Sequence, residues 1–229
     1  EFMEEEIRSF YREYREGRLT RRGFLKKLSL VTGSAAAAAA LLPVIESNEL
    51  MAAKEAGKNQ ALVTEFVNYP AATGNMRAFM ARPKKGKKFP AVIVIHENRG
   101  LVPHIRDVTR RMADEGFLAL APDALSPVGG TPDDTSNVRE LFGKLNNDET
   151  TKNFVAAVKY LKTHPKSNGK VGCTGFCWGG AMTNNVAVNS PDLDAAAPYY
   201  GRTPVPEDVE KIKAPVMAHF AGNDPGINA

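Results

Sequence analysis

The sequence predicts an α/β fold built on a doubly wound, mostly parallel sheet, and three observations lead there. Ala91-Val-Ile-Val-Ile-His96 is an unbroken, largely β-branched run, the mark of a strand buried on both faces of a parallel sheet. Strand-like and helix-like segments alternate after it, which is the pattern of repeated β-α units with ligands gathered at the carboxyl ends of the strands. The 229 residues, 43% apolar and 24% charged, suffice for one core of ordinary size and exclude disordered, collagen-like and polytopic membrane classes.

Glu1 and Phe2 precede the first methionine and read as a cloning remnant. Residues 3–53 read as an N-terminal helix followed by an export signal. Ile7, Phe10, Tyr11 and Tyr14 fall at helical spacing, and Arg21-Arg22-Gly23-Phe24-Leu25 leads into an uncharged, alanine-rich run over 29–45. Paired arginines ahead of a weakly hydrophobic, small-residue stretch resemble a twin-arginine signal, so a periplasmic location is expected. The alternative is a cytoplasmic protein in which this segment is a packed helical arm. The apolar run, about 17 residues, is shorter than the roughly 20 that cross a bilayer, so no stable membrane span is expected in the mature form.

The folded domain is expected over 59–229. Residues 62–69 and 76–82 are strand-like and separated by a turn, hence an antiparallel hairpin at a sheet edge. Lys84, Lys85, Lys87 and Lys88, with Gly86 among them, read as a solvated hairpin tip. After the strand at 91–96, Ile105, Val108 and Met112 mark a helix ended by Gly116, and 117–121 is the next strand. Then come a helix over 151–163, with Phe154, Ala157, Val158 and Leu161 inward, a strand over 170–174 and a helix over 178–189. A strand over 195–200, a helix over 206–212 and a strand over 216–220 complete the order. Residues 123–148, rich in Gly, Pro, Asn and Asp, form a long excursion of the kind that makes lids and substrate loops.

Charge excludes some partners. The 30 basic against 26 acidic residues leave +4, scattered rather than striped, so nucleic acid is not expected. Cys173 and Cys177 cannot build a disulfide framework and lack the companions of a zinc site. With neither a phosphate loop nor dinucleotide spacing, no cofactor and no metal are expected.

The chemistry centres on Gly175-Phe176-Cys177-Trp178-Gly179-Gly180, which follows a strand and opens a helix. That is the context of the G-x-S-x-G nucleophile elbow, here with cysteine in place of serine. Its glycines let strand and helix approach closely, so the thiol projects at a helix N-terminus, where the dipole favours a thiolate. Cys173, within the strand, reads as core. Asp224, just past the last expected strand, has the place of the acid. A histidine base should follow it by several tens of residues. Of the four present, His164 closes a surface helix, His219 lies in a strand, His104 begins a helix, and His96 yields its space to Glu97. None fits the role.

The elbow, the Ala121-Pro122-Asp123 and Pro198-Tyr199-Tyr200-Gly201 runs, the segment from His219 to Asp224, and His96-Glu97-Asn98-Arg99-Gly100-Leu101 resemble, in order and spacing, the dienelactone hydrolase family of α/β-hydrolases. The likeness runs from about Val63 to the last residue. It implies an α/β-hydrolase fold and a carboxymethylenebutenolidase-like hydrolase of lactone or carboxylic ester bonds, acting on a small molecule through Cys177 and an acyl-enzyme. It implies that Glu97 contacts the thiol, against the plainer reading of a strand-end carboxylate paired with Arg99. The oxyanion donors would be the main-chain N–H groups of Asn98 and Trp178, and Arg99 and Arg202 are candidates for binding a substrate carboxylate. The family's final strand, its covering helix and its histidine loop have no counterpart in these residues. The fold is therefore expected to lack them, the activity to be crippled, and a homodimer to cover the exposed apolar face. The rival reading is a non-catalytic binding or scaffold domain that keeps the pocket without the base.

Overall fold

The computed structural model describes residues 19–34 and 62–227, together with Phe10, Glu13, Tyr14 and Ala38. The chain divides into two compact units, Glu1–Gln60 and Ala61–Ala229.

In the first unit, helix α1 (Arg21–Thr32) starts at Thr20, whose hydroxyl accepts the Gly23 N–H at 3.1 Å, and ends at Gly33 in the left-handed region. Its spacing buries Phe24 and Leu28 with Ala38, and Phe10, Tyr14 and Leu25 pack around them. Tyr14 stacks on Phe24 with ring centres 5.3 Å apart, and Lys27 pairs with Glu13 at 2.9 Å. The rest of the expected leading helix and of the alanine-rich run lies outside the described residues.

The second unit is a six-stranded mixed sheet. Strand β1 (Leu62–Ala71) pairs antiparallel with β2 (Gly74–Pro83), and β2 pairs antiparallel with β4 (Leu118–Pro122). Strands β3 (Phe89–Ile95), β5 (Ser167–Phe176) and β6 (Ala195–Tyr199) extend it in parallel, in the order β1-β2-β4-β3-β5-β6. Alternate residues of the apolar strands serve the two faces. Val92, Val94, Ala119 and Ala121 meet Ile105 and Ala113 of α2 (Pro103–Asp114) on one. Ile93, Leu118 and Leu120 share the other with Phe154, Val158 and Leu161 of α4 (Asn147–Thr163) and Met182 and Val186 of α5 (Trp178–Asn189). Two short helices complete the unit, α3 (Val138–Gly143) in the excursion after β4 and α6 (Pro206–Val209) after β6.

Three expectations need correction. The lysine run is solvent-exposed but is not a hairpin tip: it joins β2 to β3, and β4 lies between those two strands. The helix expected over 206–212 stops at Val209. The strand expected over 216–220 is reduced to two parallel bridges, Ala196 with Val216 and Tyr199 with His219, in one common register. The break has a chemical cause in β6. Ala196 N–H reaches the Pro215 carbonyl, Met217 N–H the Ala196 carbonyl and His219 N–H the Pro198 carbonyl, but Pro198 has no N–H to return. On this side the sheet ends in exposed Val216, Met217 and Phe220 beside an apolar groove of about 500 Å³ lined by Val92, Met112, Ala197 and Tyr199.

Asp194, between α5 and β6, ties three elements together. Its carboxylate takes Lys162 of α4 at 2.5 Å, Lys170 of β5 at 3.1 Å and the Val171 N–H at 2.8 Å. Burial alone would raise its pKa, but Lys162, the Val171 N–H and Lys170 hold it at about 2. A carboxylate whose folded pKa is depressed adds stability above the unfolded range near pH 4 and loses it as the pH falls through about 2. Asp194→Asn is therefore expected to lower the unfolding free energy by roughly 1–2 kcal/mol at pH 7. In denaturant titrations the gap to the wild type should close toward pH 2; a gap independent of pH would show that the charge is not what matters.

Candidate active site

Strand β5 ends at Phe176 and helix α5 begins at Trp178, which leaves Cys177 alone to turn the chain. It does so at φ 55° and ψ −113°, exposed to solvent. The other described non-glycine residue with positive φ is Tyr200, at 38°, at the end of neighbouring β6. Such backbone costs of order 1–3 kcal/mol per residue and persists only where its surroundings hold it. The hold is visible: Cys177 N–H donates to the Tyr199 carbonyl and the Cys177 carbonyl accepts the Ala181 N–H, each at 3.1 Å. Glycines then allow the elements to close. A methyl group at Gly179 would stand 2.5 Å from the Ile95 and His96 carbonyls, and one at Gly201 would collide with the backbone of Gly180 and Ala181.

This packing brings the end of β3 against the same turn. Glu97 follows β3, half-buried, and its carboxylate accepts the Tyr200 hydroxyl at 3.4 Å. Burial, and next the neighbouring Glu97 and Cys177, raise the Tyr200 phenol above its ordinary pKa. Tyr200 thus senses both groups and stays a protonated donor. The sequence offered Tyr200 only as part of a run; its φ and its partner emerge from the meeting of β6 with β3. Arg99 does not pair with Glu97: its guanidinium reaches Thr135 at 3.4 Å. Arg202 is exposed, and its carbonyl accepts the Asn184 side-chain amide at 3.0 Å.

Two main-chain donors are free. Trp178 opens α5, so its N–H has no intrahelical acceptor, and neither it nor the Asn98 N–H makes a hydrogen bond among the described residues. Asp224, past the bridged segment, folds its carboxylate into its own turn and accepts Gly226 N–H at 3.1 Å and Ile227 N–H at 3.2 Å. No described histidine bonds to it. His219 stacks on Tyr199 with ring centres 4.2 Å apart, His164 caps the end of α4, and His104 lies exposed in the first turn of α2. His96 is wholly buried beneath the site. Among the described residues no group of three or more metal-ligating side chains comes together. Cys173 is buried, its S–H directed to Thr183 at 3.7 Å, and burial pushes its thiol up to about 12.

A second buried acid supports the loops. Asp123 accepts the Leu125 N–H at 3.1 Å, the Thr131 N–H at 2.8 Å and the Thr131 hydroxyl at 2.7 Å. The Thr131 oxygen in turn accepts the Leu101 N–H at 2.8 Å, so the excursion after β4 is stapled to the loop after β3.

Residues 76–229 match the sequence pattern described as the dienelactone hydrolase family. A protein of Methylorubrum extorquens, whose own carboxymethylenebutenolidase name is provisional, is 34% identical over 72% of this chain and 62% of its own length. One of Escherichia coli K12 with the same provisional name is 35% identical over 74% of this chain and 68% of its own. The chain thus spans about three fifths to two thirds of these relatives. Among solved structures, one from Klebsiella pneumoniae, provisionally titled a dienelactone hydrolase, superposes with a TM-score of 0.65 at 31% identity, covering 73% of this chain and 75% of that one.

The close approach at Gly179 can be tested directly. Gly179→Ala should destabilise the fold by roughly 1–3 kcal/mol, the usual cost of forcing atoms into a packed site. Gly143→Ala, where an added methyl meets nothing within 4 Å, should leave the melting temperature unchanged or raise it slightly. Equal effects in thermal melts would contradict the geometry.

Proposed function

We propose, from the premise that this chain belongs to the dienelactone hydrolase family, that it cleaves lactone or carboxylic ester bonds of small molecules with Cys177 as nucleophile. The observation that carries the reading is the exposed Cys177, turned outward by strained backbone, beside the Tyr200–Glu97 pair. In the proposed first step Glu97 takes the thiol proton and the sulfur attacks the ester carbonyl, forming the C–S bond. The oxygen that gains charge is held by the free N–H groups of Asn98 and Trp178. The tetrahedral adduct collapses, the C–O bond breaks, and the leaving alkoxide takes the proton from Glu97. A thioester remains on Cys177, and water must then cleave it to release the acid and restore the thiol. Arg99 and Arg202, exposed on loops that leave strand ends, are the proposed contacts for an acidic substrate.

The second half-reaction is the slow one in these 229 residues. General acid-base assistance is typically worth roughly 10²- to 10⁴-fold, and no described histidine pairs with Asp224 or stands free at the site to supply it. Mixing the protein with p-nitrophenyl acetate should give a burst of about one p-nitrophenol per Cys177, followed by slow turnover. Cys177→Ala should abolish the burst. A wild type with no burst would favour a non-catalytic binding domain, and steady turnover that survives Cys177→Ala would remove the cysteine from the mechanism.

We also propose that Arg21 and Arg22 direct twin-arginine export to the periplasm. They occupy the first turn of α1, the positive end of the helix dipole, and that turn contains no acidic residue. The pair therefore opposes helix stability, which supports a recognition role rather than a structural one. Replacing both by lysine should leave the protein in the cytoplasm on cell fractionation; unchanged localisation would make the segment a structural arm.

A further inference from the structure

Beneath the site lies a side chain that bonds to the carbonyl of the Glu97–Asn98 peptide, which carries one free N–H, and stacks on Trp178, which carries the other. His96 Nε2 lies 3.0 Å from the Ala124 nitrogen, and its Nδ1 lies 2.7 Å from the Glu97 carbonyl oxygen. The Ala124 N–H can only donate, so Nε2 accepts and carries no proton. Nδ1 therefore holds the ring proton and donates it to the Glu97 carbonyl. In a trans peptide the carbonyl and the following N–H point to opposite sides. With the Glu97 carbonyl drawn down to a fully buried ring, the Asn98 N–H is turned away from that ring. A second, longer bond from the Gly100 N–H to the same carbonyl, at 3.4 Å, fixes the plane further.

The same ring supports the other donor. His96 stacks on the Trp178 indole with ring centres 5.5 Å apart and planes 13° apart, and Phe142 of α3 closes on both edges, 5.9 Å from His96 and 5.0 Å from Trp178. Gly179 meanwhile sits against the His96 carbonyl. One imidazole thus connects the loop after β3, the loop after β4 and the first turn of α5.

We propose that His96 is a positioning residue for the oxyanion hole, a neutral Nδ1–H imidazole that turns the Glu97–Asn98 peptide and braces Trp178 so that both N–H groups face the attacked carbonyl. The role rests on the thioester mechanism proposed above. It requires the uncharged ring, because a proton on Nε2 would face the Ala124 N–H. Burial, the largest influence, lowers the His96 pKa, while the Glu97 carbonyl and the Asp123 carboxylate pull the other way.

The test compares two reactions of one thiol in the full chain. Acylation by p-nitrophenyl acetate passes through an oxyanion; alkylation by iodoacetamide does not. His96→Gln can still accept the Ala124 N–H but places no donor at the Glu97 carbonyl. It should acylate about 10- to 100-fold more slowly, on the scale of losing one oxyanion donor, with alkylation unchanged. His96→Asn, whose amide can occupy the Nδ1 position, should recover most of the acylation rate. Equal burst rates in all three proteins overturn the role, as does a parallel loss of acylation and alkylation. A wild type with no Cys177-dependent burst overturns the hydrolase reading first and this role with it. If neither variant folds, two-bond ¹H–¹⁵N spectra of the wild type decide: the Nδ1–H tautomer upholds the assignment and the Nε2–H tautomer overturns it.

Discussion

The site depends on one close approach, that of the first turn of α5 to the ends of β3 and β6. Helix and strands meet there backbone to backbone, with Gly179 against the Ile95 and His96 carbonyls and Gly201 against Gly180 and Ala181. Side chains at those positions would collide with backbone and force the elements apart. Because the gap is closed, one residue must reverse the chain between β5 and α5, and that residue is pushed into positive φ. The strain on Cys177 is the local cost of a tight junction, and the junction places the thiol outside the helix rather than within it.

Closure also fixes what surrounds the thiol. Tyr200 reaches Glu97 because β6 and β3 flank β5 and all three point their carboxyl ends the same way. The Asp123–Thr131–Leu101 chain and the His96 ring then hold the connecting loops with buried, satisfied hydrogen bonds. Such networks suit a site that must be rigid, since each partner lost would leave a buried polar group without compensation. The loops are mobile elements by type but are anchored at their roots by β3 and β4.

The outer side of β6 is built differently. Pro198 interrupts the ladder to the last segment, so 215–219 follows β6 in register without becoming a full strand, and Met217 and Phe220 stay exposed. The apolar groove on this face belongs to the flank of the sheet rather than to the strand ends where Cys177 lies. Its largely apolar lining and the strained backbone of the elbow mark two distinct surfaces of one sheet.

Periodicity and composition were enough for the architecture: the β-branched run of β3, the Phe154–Leu161 spacing of α4 and the glycines of the elbow are local signals, written by what each residue does to its own backbone. They also placed Cys177 at a strand-to-helix turn and Glu97 at a strand end. Strand order was not legible, because the lysine loop reads the same whether it turns a hairpin or passes over β4. Nor was the roughness of the last segment, which needs the register that sets Pro198 opposite it. The partners of Tyr200, the staple made by Asp123 and the tautomer of His96 were hidden for the same reason. Each is a contact between residues 8 to more than 100 positions apart, and a hydrogen bond depends on distance and angle in space, which only the folded chain supplies.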